Sequence, residues 1–141
     1  MTSILHIWDQ AGVACVLAKY QRKIGYQSMV IKRDKFDPFE IMSFYKQKKY
    51  RAFFGAQFFK IAIKESKNFD ILHVHDLFEL LPDLKKKYPE KKIILHYHGT
   101  KLRTTPKQTR MEFEKNADEI LVSTPDLLSF VNGIYLPNPV D

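Results

Sequence analysis

Apolar positions recur along this chain in two alternating rhythms, and the alternation predicts its elements. Short runs that are continuously apolar or repeat every second residue read as strands: Ile4–Trp8, Ser28–Lys32, Phe69–Asp76, Lys92–Gly99, Asp118–Ser123 and Gly133–Pro139. Between the first two, Val13, Val16, Leu17, Tyr20 and Ile24 mark a helix over Val13–Ile24, and Gly25 stands where a C-terminal cap ends it. Leu77–Tyr88, closed by Pro89, and Lys107–Ala117 read as two more helices. Pro125–Val131 reads as a short helix, with Pro125 in its first turn and Ser123 or Thr124 as its cap. Pro38–Lys67 reads as one long helical stretch with a break available at Gly55, and the residues from Thr100 to Pro106 as a polar loop.

Apolar strands alternating with helices imply parallel strands joined by right-handed crossovers, with helices on both faces. The predicted fold is therefore a Rossmann-like, doubly wound α/β sheet. Open sheets of this kind bind ligands beyond the carboxyl ends of their strands. Here those ends are Asp9–Gly12, His75–Asp76, His98–Arg103 and Ser123–Thr124, each polar or glycine after an apolar run. Four strand ends changing character together mark one edge of the sheet as the candidate site.

Composition narrows the partners. At 141 residues, 45% of them hydrophobic and 13% aromatic, the chain is one globular domain with a real core rather than a disordered segment. Its net charge of +7 draws it to anions: nucleic acid, an acidic membrane or a phosphorylated substrate. No helix-turn-helix, finger or RNA-binding sheet signature accompanies the charge, so no nucleic-acid partner is expected. Cys15, the single cysteine, forms no intrachain disulfide and reads as a buried structural thiol in a reducing compartment. Met1–Ile7 lacks the marks of a signal peptide, and no window has the roughly 18 apolar residues of a membrane span, so a cytoplasmic protein is expected.

The chemistry-bearing residues leave several readings open. "WDQAGVA" holds one glycine, Gly12, where a dinucleotide fingerprint needs three, so an NAD-type site is excluded. One glycine opening a helix still suits either backbone N–H groups aimed at an anion or a plain turn. All five histidines lie on or at the ends of strands, and His73/His75 and His96/His98 are H-x-H pairs that alternation puts on one face. Such pairs allow a zinc hydrolase. Without cysteine ligands, and with His73 and His96 deeper than His75 and His98, no metal site is expected; His6, His73 and His96 read as hydrogen-bonded core residues. "KQKKYRAFFGAQFFKIAIK" (Lys46–Lys64) joins cations to Phe54, Phe58, Ile61 and Ala62 at helical spacing. It is either a helix packed on the sheet or a surface for anionic lipid.

Taken in order, "ILHIWDQAGVACVLAKYQRKIGYQSMVI", "FDILHVHD", "IILHYHGTKLR", "ADEILVSTPDLL" and "IYLPNPVD" resemble the N-terminal half of GT-B glycosyltransferases, above all the retaining nucleotide-sugar enzymes of family four. The resemblance covers nearly the whole chain. It implies an acceptor-binding domain over residues 1–135, with 136–141 opening the linker to a donor-binding domain or subunit that transfer requires. Ala11–Gly12 matches the family's Gly-Gly pair near the donor diphosphate. His98–Gly99 matches its histidine–glycine step, which makes His98 the implied catalytic residue beside the transferred sugar. Lys101 and Arg103 follow in a loop suited to an acceptor phosphate, and His75, Asp76, Ser123 and Thr124 face the same cleft. The implied acceptor is a sugar, glycan or lipid-linked molecule. The nucleotide sugar is a substrate, and neither cofactor nor catalytic metal is implied. Two alternatives stand beside this: a non-catalytic membrane- or glycan-binding module, and a peripheral location on the inner face of the membrane through Lys46–Lys64.

Overall fold

The computed structural model describes every residue from Met1 to Asp141. Seven parallel strands form one sheet in the order β3-β2-β1-β4-β5-β6-β7. They are β1 (Ser3–Ile7), β2 (Gln27–Arg33), β3 (Lys48–Tyr50), β4 (Ile71–His75), β5 (Lys92–Tyr97), β6 (Glu119–Val122) and β7 (Ile134–Tyr135). The helices are α1 (Val13–Lys23), α2 (Ile41–Phe44), α3 (Gly55–Ser66), α4 (Leu81–Lys87), α5 (Thr100–Thr104) and α6 (Lys107–Glu114), with single 3₁₀ turns at Asp34–Phe36, Phe78–Leu80 and Pro125–Ser129. The predicted doubly wound sheet is present, and its strand order reverses between β1 and β4.

The two faces of the sheet differ in chemistry. One face sets Leu5, Ile7, Ile31, Leu72, Val74, Ile93, Leu95, Tyr97 and Val122 against Phe58 and Ala62 of α3 and Leu81 and Leu84 of α4, all buried. Each such aliphatic side chain contributes about 1.5–3 kcal/mol by leaving water, so this face is the main core. The opposite face carries the histidines, and only a small apolar cluster covers part of it: Ala14, Cys15 and Ala18 of α1 with Val30 and Met42. Small residues on α1 let that helix lie close to the strands beneath it.

Two sequence expectations are corrected. Lys46–Lys64 is not one amphipathic helix: Lys48–Tyr50 pairs with Ile31–Arg33 as an edge strand, and the helix begins only at Gly55. An edge strand tolerates the charges that hid it, and the Gln47 side chain ties it in by accepting the Val30 N–H at 2.9 Å. The expected polar loop after His98 is instead the short helix α5, entered through Gly99 at φ 141°. At the cap of the Pro125–Ser129 turn, the Thr124 hydroxyl donates to Asp126 rather than capping backbone, and Ser123 turns to the histidines.

Candidate functional site

The strand order reverses between β1 and β4, the place where open α/β sheets bind ligands, and the loop after β1 lies beyond the carboxyl end of its strand there. Trp8, Ala11 and Gly12 all sit at positive φ, so the chain turns sharply there. Asp9, buried in the turn, accepts the N–H groups of Gly12 at 2.9 Å and Cys15 at 3.2 Å. The opening amides of α1 are thus capped from within. The expectation that Ala11–Gly12 offers these N–H groups to an outside anion is corrected for Gly12, because a carboxylate of the chain already holds it. Lys32 closes the turn by donating to the Asp9 carbonyl at 2.6 Å and lies over the Trp8 ring at 5.2 Å.

Trp8, Gln10, Ala11 and Lys32 also wall a cavity of about 400 Å³ with Phe36 and Phe39 among its other lining groups. Sequence reasoning missed this cavity, because Phe39 lies in a stretch taken for helix and Phe36 in the unassigned residues before it. Aromatic rings beside an amine, a carboxylate (Asp37) and an amide match what a polar ligand with an apolar face needs.

On β1 itself and on its other side lie the histidines. β1 and β4 set His6 opposite His73, while β4 and β5 set His75 opposite His96. The two H-x-H pairs are therefore offset by one pair of residues, with His98 one step beyond. Hydrogen bonds join all five rings in one chain. His6 Nε2 meets Gln21 Oε1 at 2.8 Å, and His6 Nδ1 meets His75 Nε2 at 2.9 Å. His75 Nδ1 meets His98 Nε2 at 2.8 Å, and the Ser123 hydroxyl lies 2.7 Å from His98 Nδ1 and 3.2 Å from His96 Nε2. His96 Nδ1 ends the series at His73 Nε2, 3.0 Å away.

An amide oxygen only accepts, so His6 must donate to Gln21 from Nε2, and each neutral ring then passes the same polarity on. In this orientation of the Gln21 amide, every imidazole carries its proton on Nε2. Burial removes water from the charged form, so His6 and His98 are lowered to about 4 and His96 to about 3. His73 and His75 lie well below the usual range for the same reason, reinforced by neighbouring imidazoles. The network is neutral at physiological pH. His6, His73 and His96 are the hydrogen-bonded interior residues that their positions suggested.

The remaining predicted residues gather around His98. Asp76, at φ 61°, accepts the His98 N–H at 3.0 Å, and desolvation raises its carboxyl. Gly99 is required: a Cβ there would stand 2.6 Å from Arg103 Nη1, at a φ that side chains avoid. Lys101 pairs with Glu79 and covers the Phe78 ring at 4.2 Å, while Arg103 pairs with Asp126 at 2.7 Å. Both cations therefore reach this edge already matched by carboxylates, and Thr124 donates to the same Asp126.

No protein-family model matches the chain, and no curated protein is significantly similar to it in sequence. Solved structures do align. MurG from Acinetobacter baumannii matches with a TM-score of 0.68 at 11% identity, over 100% of this chain and 46% of its own. An α-glucosyltransferase in complex with UDP and a 13-mer DNA matches with a TM-score of 0.60 at 13% identity, over 100% of this chain and 42% of its own. A chain from the complex of histidine kinase ThkA with response regulator TrrA matches with a TM-score of 0.54 at 18% identity, over 88% of this chain. At such identities the likeness concerns fold. This chain spans less than half the length of either glycosyltransferase, and both cover it end to end or nearly so. The chain has a Rossmann-like α/β fold of the kind that forms one half of a GT-B glycosyltransferase.

Proposed function

We propose that this chain is the acceptor-binding N-terminal domain of a retaining, family-four type glycosyltransferase. The observation that carries the reading is what gathers at the carboxyl ends of the strands. The turn held by Asp9, the aromatic cavity beside Trp8 and the His98–Gly99 step all lie on that one sheet edge. Sugars suit such a place, because their apolar faces stack on rings while their hydroxyls seek polar groups.

In the reaction we propose, the acceptor hydroxyl sits against His98 while the anomeric carbon leaves the nucleotide diphosphate. The new C–O bond forms as the old one breaks, and the acceptor proton passes to the departing phosphate oxygen. The acceptor hydroxyl takes the place of Ser123 as donor to His98 Nδ1, while Nε2 stays bonded to His75, so His98 positions the hydroxyl and, with its pKa low, does not act as a lone base. Positive charge for the diphosphate comes from the donor-binding partner, because Lys101 and Arg103 are paired within this domain. The nucleotide sugar is a substrate, and this step needs neither a cofactor nor a metal.

Trp8 is the only tryptophan, so its fluorescence reports on the cavity directly. Titration with a panel of saccharides and sugar glycosides should change Trp8 emission, and Phe39→Ala should weaken the response. A panel that leaves both emission and saturation-transfer spectra untouched argues against an acceptor site. In an enzyme assembled with a donor-binding domain, His98→Ala should lower transfer about 100-fold or more with the fold intact. Near-normal transfer would remove His98 from the site.

A second reading has its own observation. Phe39, Phe44, Phe53 and Phe54 are all largely exposed, in a segment that also carries the exposed Lys35, Lys46, Lys48 and Arg51. Exposed rings among cations suit the interface of an anionic membrane, which would place the protein on the inner membrane surface.

A further inference from the structure

We propose that His75, His96 and His98 form a binding site for a late first-row divalent cation, with zinc the best fit. One ring nitrogen from each lies within 4.8 Å of the other two. Three imidazoles around an open position are the ligand set of many zinc sites, and the ligand type favours zinc, nickel or copper over magnesium or calcium.

The offset register creates this set. Had His75 stood opposite His98, the deeper pair would have faced the core alone. Instead His75 pairs with His96, and His98 caps both one step nearer the sheet edge. H-x-H on one strand and a histidine on its neighbour then converge.

The outer groups are also those of a metal site, where a ligating imidazole is oriented by a hydrogen bond at its other nitrogen. His6 engages His75 at Nε2, leaving Nδ1 directed at His98. His73 engages His96 at Nδ1, leaving Nε2 directed at Ser123. His98 keeps one nitrogen for Ser123 when the other is used. Gln21 anchors the series from α1. Every ligand therefore has a holder.

Proton accounting closes without net charge change on the protein. His75 already has its proton on Nε2 and a lone pair on Nδ1. For His98 to ligate through Nε2, its proton moves to Nδ1 and is donated to Ser123. For His96 to ligate through Nε2, its proton moves to Nδ1 and is donated to His73 Nε2, whose own proton moves to Nδ1. Zinc–nitrogen bonds of about 2.0–2.1 Å set ligand nitrogens roughly 3.4 Å apart. The 2.8 Å contact between His75 and His98 must open to reach that spacing.

The test uses the full chain expressed without a histidine tag and stripped with chelator. Dialysis against zinc, read by elemental analysis, should give one ion per chain, and cobalt should give the visible absorption of a tetrahedral site. His98→Ala, at the half-exposed edge where folding is least at risk, should weaken binding about 100-fold. His73→Gln, which changes only the holder of His96, should weaken it about 10-fold or more. Circular dichroism checks each fold. A folded wild type that retains no zinc and gives no cobalt band overturns the proposal. So does tight binding that survives His98→Ala but disappears in His6→Gln, which would place the ion among His6, His73 and His75 instead. No step of this measurement depends on sugar transfer, so its failure leaves the glycosyltransferase reading standing and its success does not establish it.

Discussion

His98 has both ring nitrogens committed within the domain, to His75 and to Ser123. Its neighbours are equally constrained, and the consequence is a specific response to acid. His6 and His98 titrate near 4 and His96 near 3 in the fold, against about 6.5 for an exposed histidine. A lowered folded pKa means that the unfolded chain takes up protons first as pH falls. Stability from these groups is therefore complete above pH 6.5 and declines from there through pH 4. Urea midpoints of chelator-treated protein should fall steadily between those values. His6→Gln should flatten the decline, and an unchanged slope would mean that His6 is not held neutral. Period-two alternation put each H-x-H pair on one face, and the sheet brings both pairs and His6 to the same face. It could not show that His75 meets His96, because register depends on how crossovers set neighbouring strands and not on any one strand's pattern.

At the scale of elements, the two turns that enter helices decide the shape of the sheet edge that carries the candidate site. α1 starts under the Asp9 carboxylate, while α5 starts at Gly99, whose φ of 141° no side chain adopts easily. Gly99→Ala meets two obstacles, backbone strain and the Arg103 guanidinium. Arg103 is an exposed, flexible side chain and can swing away from Asp126, so strain should dominate. We expect a loss of about 1–3 kcal/mol, measured by denaturant unfolding, and no recovery on adding Arg103→Ala. Recovery in the double variant would show that the contact is the obstacle. The sequence was legible where one residue type answers one geometric need, as at Gly25, but the helix entered through Gly99 was read as a loop. It was opaque where charge disguised structure. β3 reads Lys-Lys-Tyr and was absorbed into a helix, because an edge strand needs no apolar alternation. The same misreading concealed Phe39, and with it part of the cavity beside Trp8.

Over the whole molecule, charge and exposed aromatics fall unevenly. The chain carries a net +7, yet Lys101, Arg103 and Arg110 are paired near the later strands. The segment around β3 keeps Lys46, Lys48 and Arg51 free of salt bridges while exposing four phenylalanines. Arg51 lies against Phe53 at 5.5 Å, a cation and a ring displayed together. Arg33 fixes this segment to the sheet by donating to the carbonyls of Ala52 at 3.0 Å and Phe53 at 2.9 Å, so the rings are held outward by rigid backbone. Two separable contributions to membrane binding follow. Each cation near an anionic surface is worth about 1 kcal/mol, so Lys48→Ala with Arg51→Ala should weaken binding to phosphatidylserine vesicles about 30-fold at low salt and much less at high salt. Phe53→Ser with Phe54→Ser should weaken it by a factor that salt does not change, because burial of rings is not screened. Co-sedimentation across a salt series reads both. Binding indifferent to salt and to lipid charge would leave the aromatic segment without an anionic partner.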